Sequence, residues 1–150
     1  MVPFYGMLTQ QQATYEKAVQ LTQVTKREEG GWIYQLRNGT LKAVMKDRDR
    51  QREDGEDNDH IVLGKPPTIK GAKVVGTFHV HRGYSGGVDS EPSGYEYEEN
   101  GYRYSAGDYA INREQEVPGL LLAKAAGGIY ETLYGPDRGY MYEGLPVRCR

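Results

Sequence analysis

Residues 69–81 read IKGAKVVGTFHVH and carry the strongest strand signal in the chain. Val74, Val75 and Phe78 are β-branched or aromatic residues in a nearly continuous apolar run, which is typical of a strand buried on both faces. We therefore predict that residues 72–81 form the central strand of a β-sheet. The run ends in two of the three histidines of the protein, and this makes the end of the strand a candidate site.

Weaker patterns on both sides of this stretch place the other elements. The predicted order is a helix over 9–27, a hairpin over 32–45 with its turn at Asn38-Gly39, the central strand, a short helix from Ser105, a second hairpin over 119–135 and an edge strand over 140–145. The expected apolar face of the first helix consists of Tyr15, Ala18, Val19, Leu21 and Val24. Together these elements predict an α+β fold, a mixed sheet flanked by helices, in a single domain over residues 1–150.

Two stretches offer little that could be buried. Residues 46–59 are almost wholly charged, so we predict a solvated excursion there, with an exposed His60 at its end. Residues 82–104 are rich in Gly, Ser, Tyr and acids, and they predict a long loop. Five tyrosines in this loop could cover a substrate as a flap or pack the loop onto the sheet: Tyr84, Tyr95, Tyr97, Tyr102 and Tyr104.

Composition excludes several functional classes. The net charge of −2 and the mixing of acidic and basic residues leave no basic patch, so we expect neither nucleic acid nor a membrane as partner. Cys149 is the only cysteine, which excludes a disulfide or a cysteine zinc site within the chain. No transmembrane or signal-peptide pattern is present, so we expect the chain to be cytoplasmic where it folds, or delivered into another cell as part of a larger secreted protein.

His79 and His81 are two residues apart on the predicted central strand, so their side chains point to the same face. Their Cα atoms should be about 7 Å apart, and two imidazoles can converge on one ion from that separation. The pattern alone also fits two polar residues at a strand end near the surface.

Ser105 and Asp108 form an S-x-x-D pattern at the predicted start of a helix. Such a pattern is typical of a helix cap, with the serine as N-cap and the aspartate in the first turn. An aspartate fixed at a helix N-terminus is also a rigid, ionised ligand, which suits a third metal position. The two interpretations do not exclude each other.

In chain order, the motifs EEGGWIY at 28–34, GTFHVH at 76–81 and YSAGD at 104–108 resemble those of the JAMM (MPN-type) metalloproteases. The resemblance is closer to a group of JAMM-like domains at the C-terminal ends of bacterial Rhs-type and other polymorphic toxins. It covers about residues 10–135, and it implies a JAMM/cytidine-deaminase-like fold. Arg82 stands where the family has a proline, and the interval from His81 to Ser105 is longer than in deubiquitinating members, so ubiquitin specificity is not carried over.

The resemblance also implies a set of residue roles. His79, His81 and Asp108 would bind Zn²⁺, Glu28 would be the general base, and Ser105 would support the oxyanion. Adjacent strand residues face opposite ways, so Glu29 is the alternative base, and the E-x-x-G spacing favours Glu28.

These roles imply a zinc-dependent hydrolase of amide bonds, a peptidase or isopeptidase. The toxin resemblance implies a bacterial effector domain that acts on a protein or peptide in a target cell, with a cognate immunity protein as a further partner. Two alternatives remain, a non-catalytic JAMM-like protein-binding module and a metal-dependent hydrolase of a non-peptide substrate such as a phosphodiester.

Overall fold

The computed structural model describes residues 12–53, 56–58, 60–82, 96–105, 108, 110–125, 128–135 and 140–146. In chain order, its elements are α1 (Gln12–Thr25), β1 (Gly30–Leu36), β2 (Leu41–Met45), β3 (Ala72–His81), β4 (Glu96–Glu99), β5 (Tyr102–Ser105), α2 (Ala110–Gln115), β6 (Gly119–Ala125), β7 (Gly128–Tyr134) and β8 (Tyr140–Pro146). Neither helix in this part of the chain is long and apolar enough to span a membrane.

Six strands form one sheet in the order β2-β1-β3-β6-β7-β8, and β4 pairs with β5 in a separate two-stranded sheet. The β3–β6 pair is parallel, whereas the other neighbours in the large sheet are antiparallel. β3 therefore lies inside the sheet, hydrogen-bonded along both edges. This arrangement agrees with the predicted α+β class, with a mixed sheet that has the 72–81 strand in its interior.

The first hairpin closes at the predicted Asn38-Gly39 turn. Gly39 has a φ of +86°, a left-handed conformation that a glycine adopts without steric cost. The Asn38 side chain accepts a hydrogen bond from the Thr40 amide at 2.9 Å, and the Leu36 amide donates to the Thr40 carbonyl at 2.8 Å. This turn sets the register in which β2 extends the sheet.

One face of the large sheet is covered by α1. Tyr15, Ala18, Val19 and Thr22 of the helix are buried, and their spacing of three or four residues forms one helical face. The helix side chains pack against Ile33, Leu41, Phe78, Val80, Leu120, Leu122, Ile129 and Leu133. Val24 is 79% exposed, so its predicted place in the apolar face is wrong, because it lies about 180° around the helix from Tyr15 at 3.6 residues per turn.

The opposite face of the sheet is covered by the segment before β3 and by α2. Trp32, Tyr34 and Leu63 are buried there, and Ile111 of α2 packs against them. The alternation of β3 places Phe78 and Val80 under α1 and places the two histidines on the opposite face. The chemistry-bearing residues of β3 therefore lie on the face that α1 does not cover.

Three residues of the charged run over 46–59 are buried, while most of its other described residues are exposed. Lys46, Arg48 and Glu56 are buried. The Lys46 ammonium lies 2.6 Å from Glu56 Oε2 and also donates to the Val62 carbonyl. The prediction of a solvated run fails for these three residues alone, because their charges partner one another and the backbone, and such pairing compensates for lost hydration.

Part of the predicted 82–104 loop is regular structure. β4 and β5 form an antiparallel hairpin, and its turn residues Asn100 and Gly101 have φ values of 54° and 79°. Two consecutive positive φ angles are typical of a type I′ turn, which favours Asn-Gly. The long-loop prediction is therefore wrong for 96–104, and residues 83–95, with Tyr84 and Tyr95, lie outside the described residues.

The predicted helix start at Ser105 is also wrong. Ser105 is the last residue of β5 and pairs with Glu96, so its backbone belongs to the hairpin. α2 begins at Ala110, and Asp108 lies two residues before it. The aspartate thus lies in the short connection between the hairpin and the helix.

Candidate metal centre

The two histidines at the end of β3 lie side by side on one face. The His79 and His81 ring centroids are 5.0 Å apart, and the residues are 2% and 5% exposed. β1 runs close beside this end, because Gly30 is directly opposite His79. A Cβ at Gly30 would overlap the Phe78 carbonyl oxygen, so the glycine permits the close approach of β1 to the site.

Asp108 completes a cluster with the two histidines. Its Oδ2 lies 3.1 Å from His79 Nε2 and 3.0 Å from His81 Nε2. Ligand atoms from all three residues lie within 4.8 Å of one another. Bonds of about 2.0 Å to a tetrahedral ion place the ligand atoms about 3.3 Å apart, so small shifts of the side chains would admit a metal ion.

His79 supplies a second indication that the cluster fits a metal. Its Nε2 is buried and forms no hydrogen bond of good geometry within the described residues, although Asp108 Oδ2 is only 3.1 Å away. A buried imidazole nitrogen that is near a carboxylate but lacks a well-aligned hydrogen bond is compensated only in part for its lost hydration. A cation between the imidazoles and the carboxylate would provide the missing partner.

Asp108 is held as an anion. Burial alone would raise its pKa, but the positive charge of His79 and the hydrogen bond from His81 outweigh burial and hold the pKa of Asp108 well below its usual range. A carboxylate that is ionised at all ordinary pH values is a suitable ligand for a cation.

Glu28 lies beside this cluster, just before β1. Its Oε2 is 3.8 Å from His81 Nε2, and its Oε1 accepts a hydrogen bond from the Ile61 amide at 2.9 Å. The main chain of Glu28 is fixed as well, since its carbonyl accepts a hydrogen bond from the Arg48 guanidinium at 2.5 Å. The carboxylate is therefore oriented toward the histidines and has one oxygen outside this amide hydrogen bond.

The pKa of Glu28 is raised above its ordinary value. Burial is the main cause, and the positive charges of His79 and His81 and the Ile61 amide oppose it in part. A carboxyl group with a raised pKa is a better proton acceptor and donor near neutral pH than an ordinary glutamate. Glu28 thus has the chemistry of an acid–base group.

Glu29 is directed elsewhere. It is 1% exposed, and its Oε2 accepts hydrogen bonds from Arg27 Nε at 2.6 Å and Thr25 Oγ1 at 3.1 Å. Of the two adjacent glutamates, Glu28 is therefore the one that lies at the cluster. The sequence alone did not decide between Glu28 and Glu29, because strand alternation shows that they face opposite sides but not which side carries the site.

The structure does not test the predicted role of Ser105. Ser105 ends β5 three residues before Asp108, and its side chain lies outside the described part of the molecule. His60, which the sequence predicts to be exposed, has a 69% exposed side chain.

A cleft of about 310 Å³ opens beside the cluster. Its described lining consists of Glu28, His60, Ile61, Val62, Leu63, Gly64, His79, Asp108, Ile111 and Glu114. Aliphatic side chains thus form much of one wall, and Glu28 lies along the cleft with two of the three candidate ligands, His79 and Asp108.

Several residues that support the site were missed by sequence reasoning. Arg48 and Ile61 hydrogen-bond to Glu28. The Tyr134 hydroxyl contacts the Asp108 carbonyl and also the side chain of Asn112. No local pattern marks them, because their contacts arise from the tertiary packing of segments far apart in sequence. His79 and His81 were found because a strand places residues i and i+2 on one face whatever the fold, and Asp108 was found from the S-x-x-D pattern and the family resemblance.

Comparisons with protein-family models, with curated proteins and with solved structures found no match for this chain. The site therefore has to be classified by its own chemistry. Two imidazoles and one carboxylate form a donor set that zinc and non-haem Fe(II) both accept, with coordination positions left for water or substrate. Glu28 adds a buried carboxyl group beside this donor set.

Proposed function

We propose that the protein is a zinc-dependent hydrolase of amide bonds, a peptidase or isopeptidase, with a JAMM/cytidine-deaminase-like arrangement of sheet and helices. One observation carries the proposal. His79, His81 and Asp108 bring ligand atoms within 4.8 Å of one another, and Glu28 lies beside them at the same cleft.

The proposed metal is Zn²⁺, bound by His79, His81 and Asp108. Imidazole and carboxylate ligands are common in zinc enzymes, in which three protein ligands leave one position open. When bound, zinc supplies Lewis acidity that polarises a carbonyl group and lowers the pKa of water.

Glu28 is the proposed acid–base residue. Its raised pKa and its position 3.8 Å from His81 Nε2 suit a group that accepts a proton from the attacking water and donates it to the leaving amine. Ser105 is proposed to stabilise the developing oxyanion, a contribution of about 3 kcal/mol in comparable sites.

The lining of the cleft favours an amide over a phosphodiester substrate. Its described residues include three carboxylates, those of Glu28, Asp108 and Glu114, and neither lysine nor arginine. Carboxylates repel a phosphodiester anion, whereas a polypeptide carries no backbone charge. The aliphatic wall at Ile61 and Leu63 suits the side chains of a bound peptide.

The biological setting is proposed from the sequence resemblance alone. The substrate would be a protein or peptide inside a target cell, and the chain would act as a bacterial effector domain delivered as part of a larger secreted protein. A cognate immunity protein would then protect the producing cell.

The test is cleavage of a proteome-derived peptide library by the zinc-loaded protein, with Glu28→Gln and Glu29→Gln as a matched pair. We expect Glu28→Gln to keep its zinc and lose 10²–10⁴-fold in activity, the loss typical of a missing acid–base group. Glu29→Gln, whose carboxylate contacts Arg27, should retain activity if the variant stays folded. A wild-type protein that binds zinc and cleaves nothing would favour the non-catalytic binding module.

A further inference from the structure

Tyr134 lies on β7 and contacts two of the three candidate metal ligands, Asp108 and His79. It is fully buried, and its hydroxyl lies 3.2 Å from the main-chain oxygen of Asp108. The edge of its ring packs against His79, with the ring centroids 6.3 Å apart and the planes at 79°. The Tyr134 side chain therefore contacts both Asp108, which precedes α2, and His79, which lies on β3.

The Tyr134 hydroxyl is part of a buried hydrogen-bond chain. It also lies 3.3 Å from Asn112 Oδ1. Asn112 Nδ2 donates to Thr77 Oγ1 at 2.8 Å and to the Val117 carbonyl at 3.1 Å, and these two acceptors fix the orientation of the amide. The single phenolic proton is thus shared between two oxygens, one of which belongs to Asp108.

A glycine opposite Tyr134 provides the space that its ring occupies. Gly119 of β6 is directly opposite Tyr134 in the β6–β7 pair. A Cβ at Gly119 would overlap the phenol end of the Tyr134 ring. The glycine therefore allows the ring to lie across β6 and reach Asp108.

Asp108 needs such a support more than the histidines do. His79 and His81 are in a strand that is hydrogen-bonded on both edges, whereas Asp108 lies in the connection between β5 and the six-residue helix α2. A short helix preceded by a two-stranded hairpin fixes its own position weakly. The Tyr134 and Asn112 contacts join this connection to β3 and β7 of the large sheet.

We propose that Tyr134 is a positioning residue of the metal centre, which holds the Asp108 main chain and the His79 ring in the arrangement that binds the ion. The proposal rests on the proposed function only in requiring that the cluster binds a metal. Outer partners that orient metal ligands typically change metal affinity by 10–100-fold.

The test is the zinc affinity of Tyr134→Phe, measured by competition with a chelating dye, beside Tyr34→Phe as control. Tyr34 is equally buried, and its hydroxyl donates to the Pro67 carbonyl at 2.5 Å, so the control also removes one buried phenolic hydrogen bond. We expect Tyr134→Phe to weaken zinc binding by about 10–100-fold and Tyr34→Phe by less than about twofold. Thermal unfolding of both metal-free variants should show similar losses of stability.

Gly119→Ala provides a second route to the same result, since it displaces the Tyr134 ring and keeps the hydroxyl. It should weaken zinc binding in the same direction as Tyr134→Phe. If the wild-type protein binds zinc and Tyr134→Phe binds it equally well, the positioning role is wrong and the hydrolase proposal stands. If the wild-type protein binds no metal, both proposals are wrong.

Discussion

The two faces of the large sheet differ in what they bury. The face under α1 buries mainly aliphatic and aromatic side chains, among them Tyr15, Phe78 and Leu122. The opposite face buries polar groups around His79, Asn112 and Thr77, which hydrogen-bond or ion-pair with one another. β3 contributes to both faces through simple alternation, so one strand serves the core and the site.

Two buried glutamates show the same difference between the two faces. Glu28, on the site face, is flanked by two histidines and accepts the Ile61 amide. Glu131 shares a face of β7 with the core residues Ile129 and Leu133, and its Oε1 has no hydrogen-bond partner in the described structure. Glu28 is thus an acid–base candidate on one face, whereas Glu131 is a core acid on the other face with an oxygen that lacks a hydrogen bond. The groups around each carboxyl account for the difference.

The largest expected effect is a difference in stability between substitutions at two adjacent residues of β3, Phe78 and His79. Phe78→Ala removes a fully buried ring from the core and should lower the free energy of unfolding by about 3–5 kcal/mol. His79→Ala should cost the metal-free protein less, because an imidazole ring buries less apolar surface than a phenyl ring. Urea unfolding in the presence of a chelator measures both. Equal losses would mean that His79 is an ordinary core residue.

A smaller effect should appear in the pH dependence of stability. Burial raises the pKa of Glu131 from 4.5 to about 8. Between these values the unfolded chain releases the proton while the folded protein keeps it, so stability falls as pH rises. Relative to Glu131→Gln, the wild type should lose about 3 kcal/mol between about pH 5 and pH 7.5, at about 1.4 kcal/mol per pH unit. Parallel stability curves for the two proteins would show that Glu131 does not stay protonated in the fold.

Local sequence patterns correctly predicted those structural features that depend on backbone geometry alone. The Asn38-Gly39 turn, the interior position of 72–81 and the shared face of the two histidines all follow from turn chemistry and strand alternation. The β4–β5 hairpin could have been predicted as well, because Asn100-Gly101 between Tyr-rich segments is the same turn signal that marked the first hairpin.

Other features could not be read from local patterns. The burial of Lys46 depends on Glu56, ten residues away, and on the Val62 carbonyl, and a charge run in sequence does not reveal such partners. Tyr134 reaches Asp108 only because β7 lies two strands from β3 in the sheet. The residues of the cluster were therefore predictable, and the side chains that contact them were not.

The central claim is that the cluster at the end of β3 binds one metal ion, and zinc stoichiometry tests it most directly. The wild-type protein, purified without chelator and dialysed against a slight excess of zinc, should hold about one zinc per chain, a number that metal analysis measures. His60→Ala alters a histidine whose side chain is 69% exposed and should leave the stoichiometry unchanged. His81→Ala removes a ligand and should lower affinity by more than the 10–100-fold of an outer partner. A wild-type protein without zinc, or His81→Ala and His60→Ala variants that bind it equally well, would contradict the account.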